Sequence, residues 1–324
     1  MPLSFSGGRV QSPYSRRGRF TDVGARGPTA REVVDNLKAL LGSSISEGSK
    51  KIYQRAWNVY SQFSYRFGGS SLPDLPLDQA SVALFISFLS ASKFAPSTIS
   101  SYISALSYAH KLKNLPDPTK SFLIRKLLTA QSRRGSPDVR FPITLPVLHE
   151  LVSSLSHTNS TAYQRTLFAA MFLIAFYGFF RVGELAAKTK GSAHSVLQFT
   201  QLQFLPNAQE PSTAKITISE FKHNTSNRPF EILIQRMDST PFCPLHALIQ
   251  YTKIRGSSNG PLFCFPDASP VTVSQFNTEL RRCLIFCGLD SAHYKSHSFR
   301  FGAASDAAEM GFTDTQIRTL GMKP

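Results

Sequence analysis

The chain has 324 residues, of which 42% are hydrophobic, so it is long enough for two ordinary domains and apolar enough to exclude wholesale disorder. Its 36 Lys and Arg residues against 20 Asp and Glu give a formal net charge of +16, which favours a polyanionic partner, either nucleic acid or an acidic membrane surface. Four cysteines are too few for a disulfide framework, and residues 1–31 lack the apolar segment of a secretory signal, so we expect a reducing, intracellular location.

The first third of the chain predicts a basic arm followed by a helical domain. Residues 1–28 are rich in Gly, Ser and Arg and lack an apolar pattern, so we expect a disordered basic arm. Residues 29–132 then show helical spacing of apolar residues, which predicts an all-α domain. Its expected helices span 48–67, 78–91, 97–112 and 118–131, the last with an apolar stripe of Phe122, Leu123, Leu127 and Leu128.

Basic residues on the polar faces of this domain and at its end have few acidic neighbours to balance them. A charged helix face is usually only solvated, but together with the net charge this set favours contacts to DNA phosphates. The residues that we expect to contact DNA are Lys50, Lys51, Arg55, Lys111, Arg133 and Arg134.

A polar stretch at 133–142, broken by Gly and Pro, predicts an interdomain linker, and residues 143–324 then form the second domain. Residues 167–180 contain no charge, but 14 residues are too few to span a bilayer, so we predict a helix buried inside the domain. The remaining segments predict helices at 145–156, 161–179, 243–255, 272–287, 297–309 and 313–320, and two alternating strands around Ala214–Ile218 and Phe230–Ile234. We therefore expect a mainly α fold with a small antiparallel sheet.

Three signals in the second domain suggest chemistry at a phosphate. Arg181 directly follows the buried helix and needs an anion, either a ligand phosphate or the carboxylate of Glu184 in a simple helix-end salt bridge. Lys222 lies in the turn between the two strands, where it can contact phosphate or donate a proton, although most loop lysines are merely solvated. His297 and Arg300 share one face of a helix, although such a pair is also common by chance.

Taken in this order, the segments RVGEL, the hairpin lysine and HSFR resemble the tyrosine recombinase (phage-integrase-like) family. The helical segment STISSYISALSYAHK resembles that family's SAM-like core-binding domain, and FCPLHALIQYTKIRG resembles its segment after the hairpin. The resemblance covers residues 30–321. The run HSFRFGAASDAAEMG is most similar to eukaryotic mobile-element recombinases of the Crypton or DIRS kind, which implies a nuclear location.

The resemblance implies site-specific recombination and DNA integration through a covalent 3′-phosphotyrosyl link, with double-stranded DNA as partner and without metal or other cofactor. Arg181 and Arg300 would hold the scissile phosphate, Lys222 would be the general acid, His297 would assist proton transfer, and Glu184 would be a supporting residue. The family's nucleophilic tyrosine is expected beyond Gly321, and no tyrosine follows Tyr294. We therefore expect a catalytic domain truncated before its nucleophile and inactive alone; some family members receive the tyrosine from a neighbouring subunit, so a homo-oligomer on DNA is also expected.

Other interpretations remain open. A non-catalytic DNA-binding module derived from a mobile element would show the same folds and the same charge. A protein-interaction or membrane-surface protein would also be basic, but no basic amphipathic helix lies beside an anchor, so we expect no membrane partner. Cys283 with Cys287, and Cys243 with His246, have metal-ligand spacing, but no second pair has finger-like spacing, so we expect no metal site.

Overall fold

The computed structural model describes residues 27–68, 75–134, 139–158, 161–207, 210–218, 229–237 and 240–321. The chain forms two compact units, residues 1–136 and 137–324, here named the N-terminal unit and the C-terminal unit. Almost all of the arm expected at residues 1–28 lies outside the described residues. Within the described part of the chain, no helix is both long and apolar enough to cross a membrane.

The N-terminal unit is a helical domain. Its core is formed by apolar residues at helical spacing, such as Ile99, Ile103 and Leu106 on one stripe of the fourth helix. Aromatic side chains fill the rest, with the Tyr60 ring edge-on to the Phe85 ring at a centroid distance of 4.9 Å. Its helices are α1 (Ala30–Ser43), α2 (Glu47–Gly68), α3 (Gln79–Ala91), α4 (Pro96–Leu112) and α5 (Phe122–Arg134).

The fifth helix differs from the sequence prediction at its start. A short 3₁₀ helix covers Pro118–Lys120, and Ser121 is extended, so α5 begins only at Phe122. Phe122 and Leu123 are exposed, and the buried residue is Ile124, so the predicted stripe was wrong in its first turn. Ile124, Leu127 and Leu128, at positions i, i+3 and i+4, are the residues that share the inner face. The Phe122 ring lies instead beneath Lys126, with 5.2 Å from its Nζ to the ring centroid.

The C-terminal unit is built around α7, which is buried almost all round, as its uncharged sequence predicted. Side chains from α7, α10 and α11 meet in one core, where Phe172 packs against Phe276 and Phe299. The helices of this unit are α6 (Leu145–Thr158), α7 (Ala162–Tyr177), α8 (Val182–Leu185), α9 (Pro244–Arg255), α10 (Val273–Phe286), α11 (Ser298–Glu309) and α12 (Asp314–Gly321).

A three-stranded antiparallel sheet completes this unit. The strands β1 (Leu202–Leu205), β2 (Thr213–Ile218) and β3 (Phe230–Gln235) lie in the order β1-β2-β3, with Ile216 opposite Ile232. In β2 the burial alternates, because successive side chains point to opposite faces and only one face covers the core. The predicted mainly α fold with a small antiparallel sheet is therefore confirmed, although β1 was not predicted.

The residues expected to form a linker are divided between other elements. Helix α5 extends to Arg134, so Arg133 and Arg134 are helical. At the other end, the main-chain N–H of Phe141 donates to the carbonyl of His293 at 2.9 Å, which attaches this segment to the C-terminal unit. Of the residues expected in the linker, 135–138 lie outside the described ones.

Candidate phosphate-binding site

Arg181 is positioned by a tight turn at the end of α7. The chain leaves the helix through Phe179, whose φ of 51° is left-handed, and the main-chain N–H of Phe180 donates back to Ala175 at 3.1 Å. A Cβ added to Gly178 would lie 2.5 Å from the Phe180 ring, so only glycine fits there. The fully buried Phe180 therefore fixes the direction in which the next residue, Arg181, leaves the core.

Glu184 holds Arg181 at the start of α8. One carboxylate oxygen accepts from the main-chain N–H of Arg181 at 2.9 Å, and the other lies 3.4 Å from its Nη1. About a third of the Arg181 side chain and a fifth of that of Glu184 are exposed, so the pair is partly screened by solvent. The geometry is long for a strong charge-assisted hydrogen bond, which leaves most of the guanidinium donors of Arg181 for other acceptors.

His297 and Arg300 are positioned by the start of α11. Ser298 and Phe299 are fully buried, and the Phe299 ring packs against Phe172 on α7 at a centroid distance of 5.3 Å. Helix α11 begins at Ser298, one residue later than predicted. The side-chain hydroxyl of Ser298 accepts a hydrogen bond from the main-chain N–H of Lys295 at 3.0 Å. With Phe299 directed into the core, His297 and Arg300 share the opposite side at a spacing of three residues.

A close approach between main chains brings α11 against the start of the C-terminal unit. The N–H of Ile143 donates to the carbonyl of Ser298 at 2.9 Å. A Cβ on Gly302 would lie 1.7 Å from the carbonyl oxygen of Ile143, far inside any permitted contact. Glycine at position 302 is therefore required for the segment before α6 to lie on this helix.

Arg181 and Arg300 lie near enough to His297 for their positive charges to lower the pKa of its imidazole. Desolvation is the largest cause that lowers the pKa of His297, and the positive charges of Arg140, Arg181 and Arg300 lower it further. Part of the His297 ring is still open to solvent. The imidazole therefore favours its neutral form, which can accept a proton.

The guanidinium of Arg300 is partly enclosed. Burial, and then the neighbouring charge of Arg181, lower the pKa of Arg300, while Glu184 opposes them. Its Nη1 is buried and has no hydrogen-bond partner among the described residues. An enclosed donor without an acceptor costs about 1–3 kcal/mol, and more when it is charged. An anion placed between Arg181 and Arg300 would satisfy this donor and offset the repulsion between the two guanidinium groups.

The remaining candidates of the C-terminal unit are Lys222 and the cysteine pairs. Lys222 belongs to the connection between β2 and β3, and residues 219–228 lie outside the described ones. Cys283 is buried beside Glu279, and burial raises the pKa of its thiol to about 11. The Sγ of Cys243 accepts from the main-chain N–H of Met237 at 3.3 Å. Across the described ranges, no three His, Cys, Asp or Glu side chains lie close enough to share a metal ion.

The basic residues expected to contact DNA belong to three helices of the N-terminal unit. On α2, Lys51 and Arg55 are exposed at a spacing of four residues, whereas Lys50 pairs with Glu47. On α4, the Nζ of Lys111 lies 3.8 Å from Asp117. The last turn of α5 carries the exposed Arg133 and Arg134.

Sequence reasoning missed one basic residue of the site. Arg140, which we expected in a linker, lies close enough to His297 for its positive charge to lower the pKa of the imidazole, together with Arg181 and Arg300. Its position depends on main-chain bonds to residues about 150 positions later, so no local pattern marks it. The only signal was an arginine inside a Gly- and Pro-rich stretch.

Comparison with known proteins shows likeness at the level of structure only. No family model matches the chain, and no curated protein matches it. Lambda integrase, solved as a dimer bound to a COC′ core site, is 14% identical, with a TM-score of 0.55 over 92% of this chain and 75% of the integrase chain. The Tn1549 transposon integrase in complex with transposon right end DNA is also 14% identical, with a TM-score of 0.56 over 88% and 89%.

The XerH site-specific recombinase bound to its difH substrate is a further similar structure, 14% identical, with a TM-score of 0.51 over 82% of this chain and 70% of XerH. At such identities the likeness shows the fold alone. The structural neighbours of this chain are integrases and site-specific recombinases, and the chain has their fold.

Proposed function

We propose that the chain binds duplex DNA and acts in site-specific recombination or DNA integration, with Arg181 and Arg300 holding one phosphodiester of the backbone. The observation that carries the proposal is the enclosed Nη1 of Arg300 beside the charge of Arg181. Two fixed guanidinium groups can bind the oxygens of a phosphate in its ground state. They stabilise a pentacoordinate transition state more strongly, because additional negative charge develops on those oxygens. The net charge of +16 and the structures of the DNA-bound neighbours support the same partner.

The proposed chemistry is displacement at phosphorus. An oxygen nucleophile attacks the phosphorus, the bond from phosphorus to the 5′ oxygen breaks, and the leaving oxygen takes a proton. His297 favours its neutral form, so it can accept the proton that the nucleophile loses. Lys222 can donate a proton to the leaving 5′ oxygen. In the reverse step, a 5′-hydroxyl of another strand attacks and rejoins the DNA. No described residue is assigned as the nucleophile, which in the resembling family is a tyrosine.

A more specific origin is also part of the proposal. The run from His297 to Gly311 is what suggests a eukaryotic mobile element of the Crypton or DIRS kind. A partner subunit on DNA, as in the lambda integrase dimer, is compatible with this origin. Mass measurement of the chain with and without a duplex would reveal such an oligomer.

Binding is tested by fluorescence anisotropy with a labelled duplex of random sequence at salt concentrations from about 50 to about 200 mM. We expect a linear fall of log K against log salt, with a slope of about 0.9 per phosphate neutralised. Because Arg181 and Arg300 hold one phosphate, replacing both by Ala should reduce the slope by about 0.9, whereas Lys253→Ala, a loss of an exposed charge on α9, should leave it unchanged. A flat plot for the native chain would refute DNA binding by this charge.

Strand cleavage needs a separate test, because binding alone also fits a non-catalytic module. A nicked duplex is incubated with the chain and with hydrogen peroxide, whose anion can replace an enzyme hydroxyl as the nucleophile. The proposal predicts strand breaks that disappear in Arg300→Ala and persist in Tyr294→Phe. If the chain binds DNA but never promotes cleavage, the binding module is the correct interpretation and the catalytic role is wrong.

A further inference from the structure

A cleft of about 670 Å³ opens in the C-terminal unit on one side of His297. Its walls carry four basic side chains, Arg140, Arg281, Lys295 and His297, and among the described residues that line it Asp290 supplies the one carboxylate. That carboxylate is already engaged, because one oxygen accepts from the N–H of Ala292 at 2.9 Å and the other lies 3.6 Å from the imidazole of His293. The cleft is therefore strongly basic.

Two of these cations, Arg140 and Lys295, lie in segments that are held by hydrogen bonds close to the start of α11. The carbonyl of Val139 lies 3.1 Å from Nδ1 of His293, and Phe141 donates to the carbonyl of His293, so the backbone on both sides of Arg140 is bound. The Phe141 ring lies against the His293 ring at a centroid distance of 4.8 Å. Lys295 is fixed through its main-chain N–H, which donates to the hydroxyl of Ser298.

The third cation is supplied by a rigid helix. Arg281 lies on α10, whose inner face is anchored in the core by Phe276 and Leu280. Arg140, Arg281 and Lys295 are all exposed, so their charged ends can reach a ligand without unfolding any element. Cations on the walls of one cleft repel one another, and an anion bound between them relieves that repulsion.

His297 connects this cleft with the phosphate-binding pair. It lines the cleft, and it is also within the electrostatic reach of Arg181 and Arg300, which do not line it. The positive charge of Arg140 also lowers the pKa of this imidazole, as those of Arg181 and Arg300 do. His297 is thus shared by the cleft and by the pair Arg181 and Arg300, so an anion in the cleft would lie near the phosphate that the pair holds. A DNA strand presents such anions, because each of its nucleotides carries one phosphate.

We propose that Arg140, Arg281 and Lys295 form a second subsite that binds a DNA phosphate neighbouring the one held by Arg181 and Arg300. This inference rests on the proposed function. The second phosphate sets the register of the strand, because a strand held at two phosphates cannot slide along the site. Arg140 and its two partners are thus positioning residues, and the reacting phosphate remains with Arg181 and Arg300.

The test is the salt dependence of duplex binding by the full chain, measured for Arg140→Ala, Arg281→Ala, Lys295→Ala and the matched control Lys253→Ala. Because the three cations neutralise one phosphate, replacing all three together should lower the slope of log K against log salt by about 0.9, and each single replacement should lower it by part of that amount. Lys253→Ala should not lower it. Arg140→Lys should keep the slope, since it keeps the charge. Thermal melts should be unchanged, because all the replaced side chains are exposed.

Two results would overturn the subsite. Either all three subsite variants keep the slope of the native chain, or Lys253→Ala lowers it as much as they do, which would mean diffuse attraction without a site. Failure of the proposed function looks different, since then the native chain itself shows no salt-dependent binding. A register role also predicts that a chain proficient in cleavage cuts one strand position in its native form and several positions in Arg140→Ala.

Discussion

Replacement of Gly302 by alanine tests the packing that brings the candidate site together. The new Cβ would lie 1.7 Å from the carbonyl oxygen of Ile143 and 2.5 Å from its carbonyl carbon. Both are main-chain atoms, so neither can rotate away, and α11 must move by about 1.3 Å merely to reach a 3.0 Å contact. Overpacking of this kind costs about 1–3 kcal/mol. In helices generally, the same replacement stabilises by about 1 kcal/mol, so the sign of the effect is diagnostic.

The assay is thermal unfolding followed by circular dichroism. For a unit of this size, a loss of about 1–3 kcal/mol lowers Tm by about 2–12 °C. The control is Gly191→Ala, where an added Cβ meets nothing within 4 Å, and its Tm should stay near that of the native chain. A Gly302→Ala protein as stable as the control would refute the close approach, and with it the placement of Arg140 beside His297.

Two further predictions concern single groups. Nuclear magnetic resonance titration of free His297 should give a pKa below the ordinary value of about 6.5, and Arg140→Ala should raise it, because one of the three arginine charges is removed. Since the folded state then binds fewer protons than the unfolded state, the free energy of unfolding should fall as the pH drops below about 6.5, and His297→Gln should lessen that fall in denaturant titrations. Tyr251→Phe should cost about 1–3 kcal/mol in urea unfolding, because the buried hydroxyl donates to Leu262 and accepts from the N–H of Cys264, each at 3.0 Å; an unchanged midpoint would contradict this bond.

The sequence predicted those elements whose signal is local. The uncharged run 167–180 predicted the buried α7, because a helix buried on all faces carries apolar side chains throughout. The alternation of Ala214, Ile216 and Ile218 predicted β2, because a strand buried on one face has apolar side chains at every second position. Strand β1 was missed because its four residues, Leu202–Leu205, are too short to establish a period. The first turn of α5 was misassigned because the apolar residues 122 and 123 also fit a helical spacing with Leu127, and the sequence does not show which spacing faces the core.

The candidate site was predictable in its composition and not in its geometry. Arg181, His297 and Arg300 were marked by a buried helix and a helical spacing, both of which are local features. The place of Arg140 depends on Phe141 and Ile143 pairing with residues far along the chain, and such pairing leaves no periodic trace. The enclosure of the Arg300 guanidinium likewise arises only after folding. Lys222 stays a prediction, since it lies outside the described residues.

The most direct test of the central claim, that a DNA phosphate binds between Arg181 and Arg300, is the pKa of His297 with and without DNA. A phosphate there places negative charge beside the imidazole and offsets the arginine charges that now lower its pKa. Saturation with a duplex should raise the pKa of His297 in the native chain, and raise it less in Arg300→Ala. If the duplex binds to saturation and the pKa of His297 does not change, no phosphate occupies this site and the central claim is wrong.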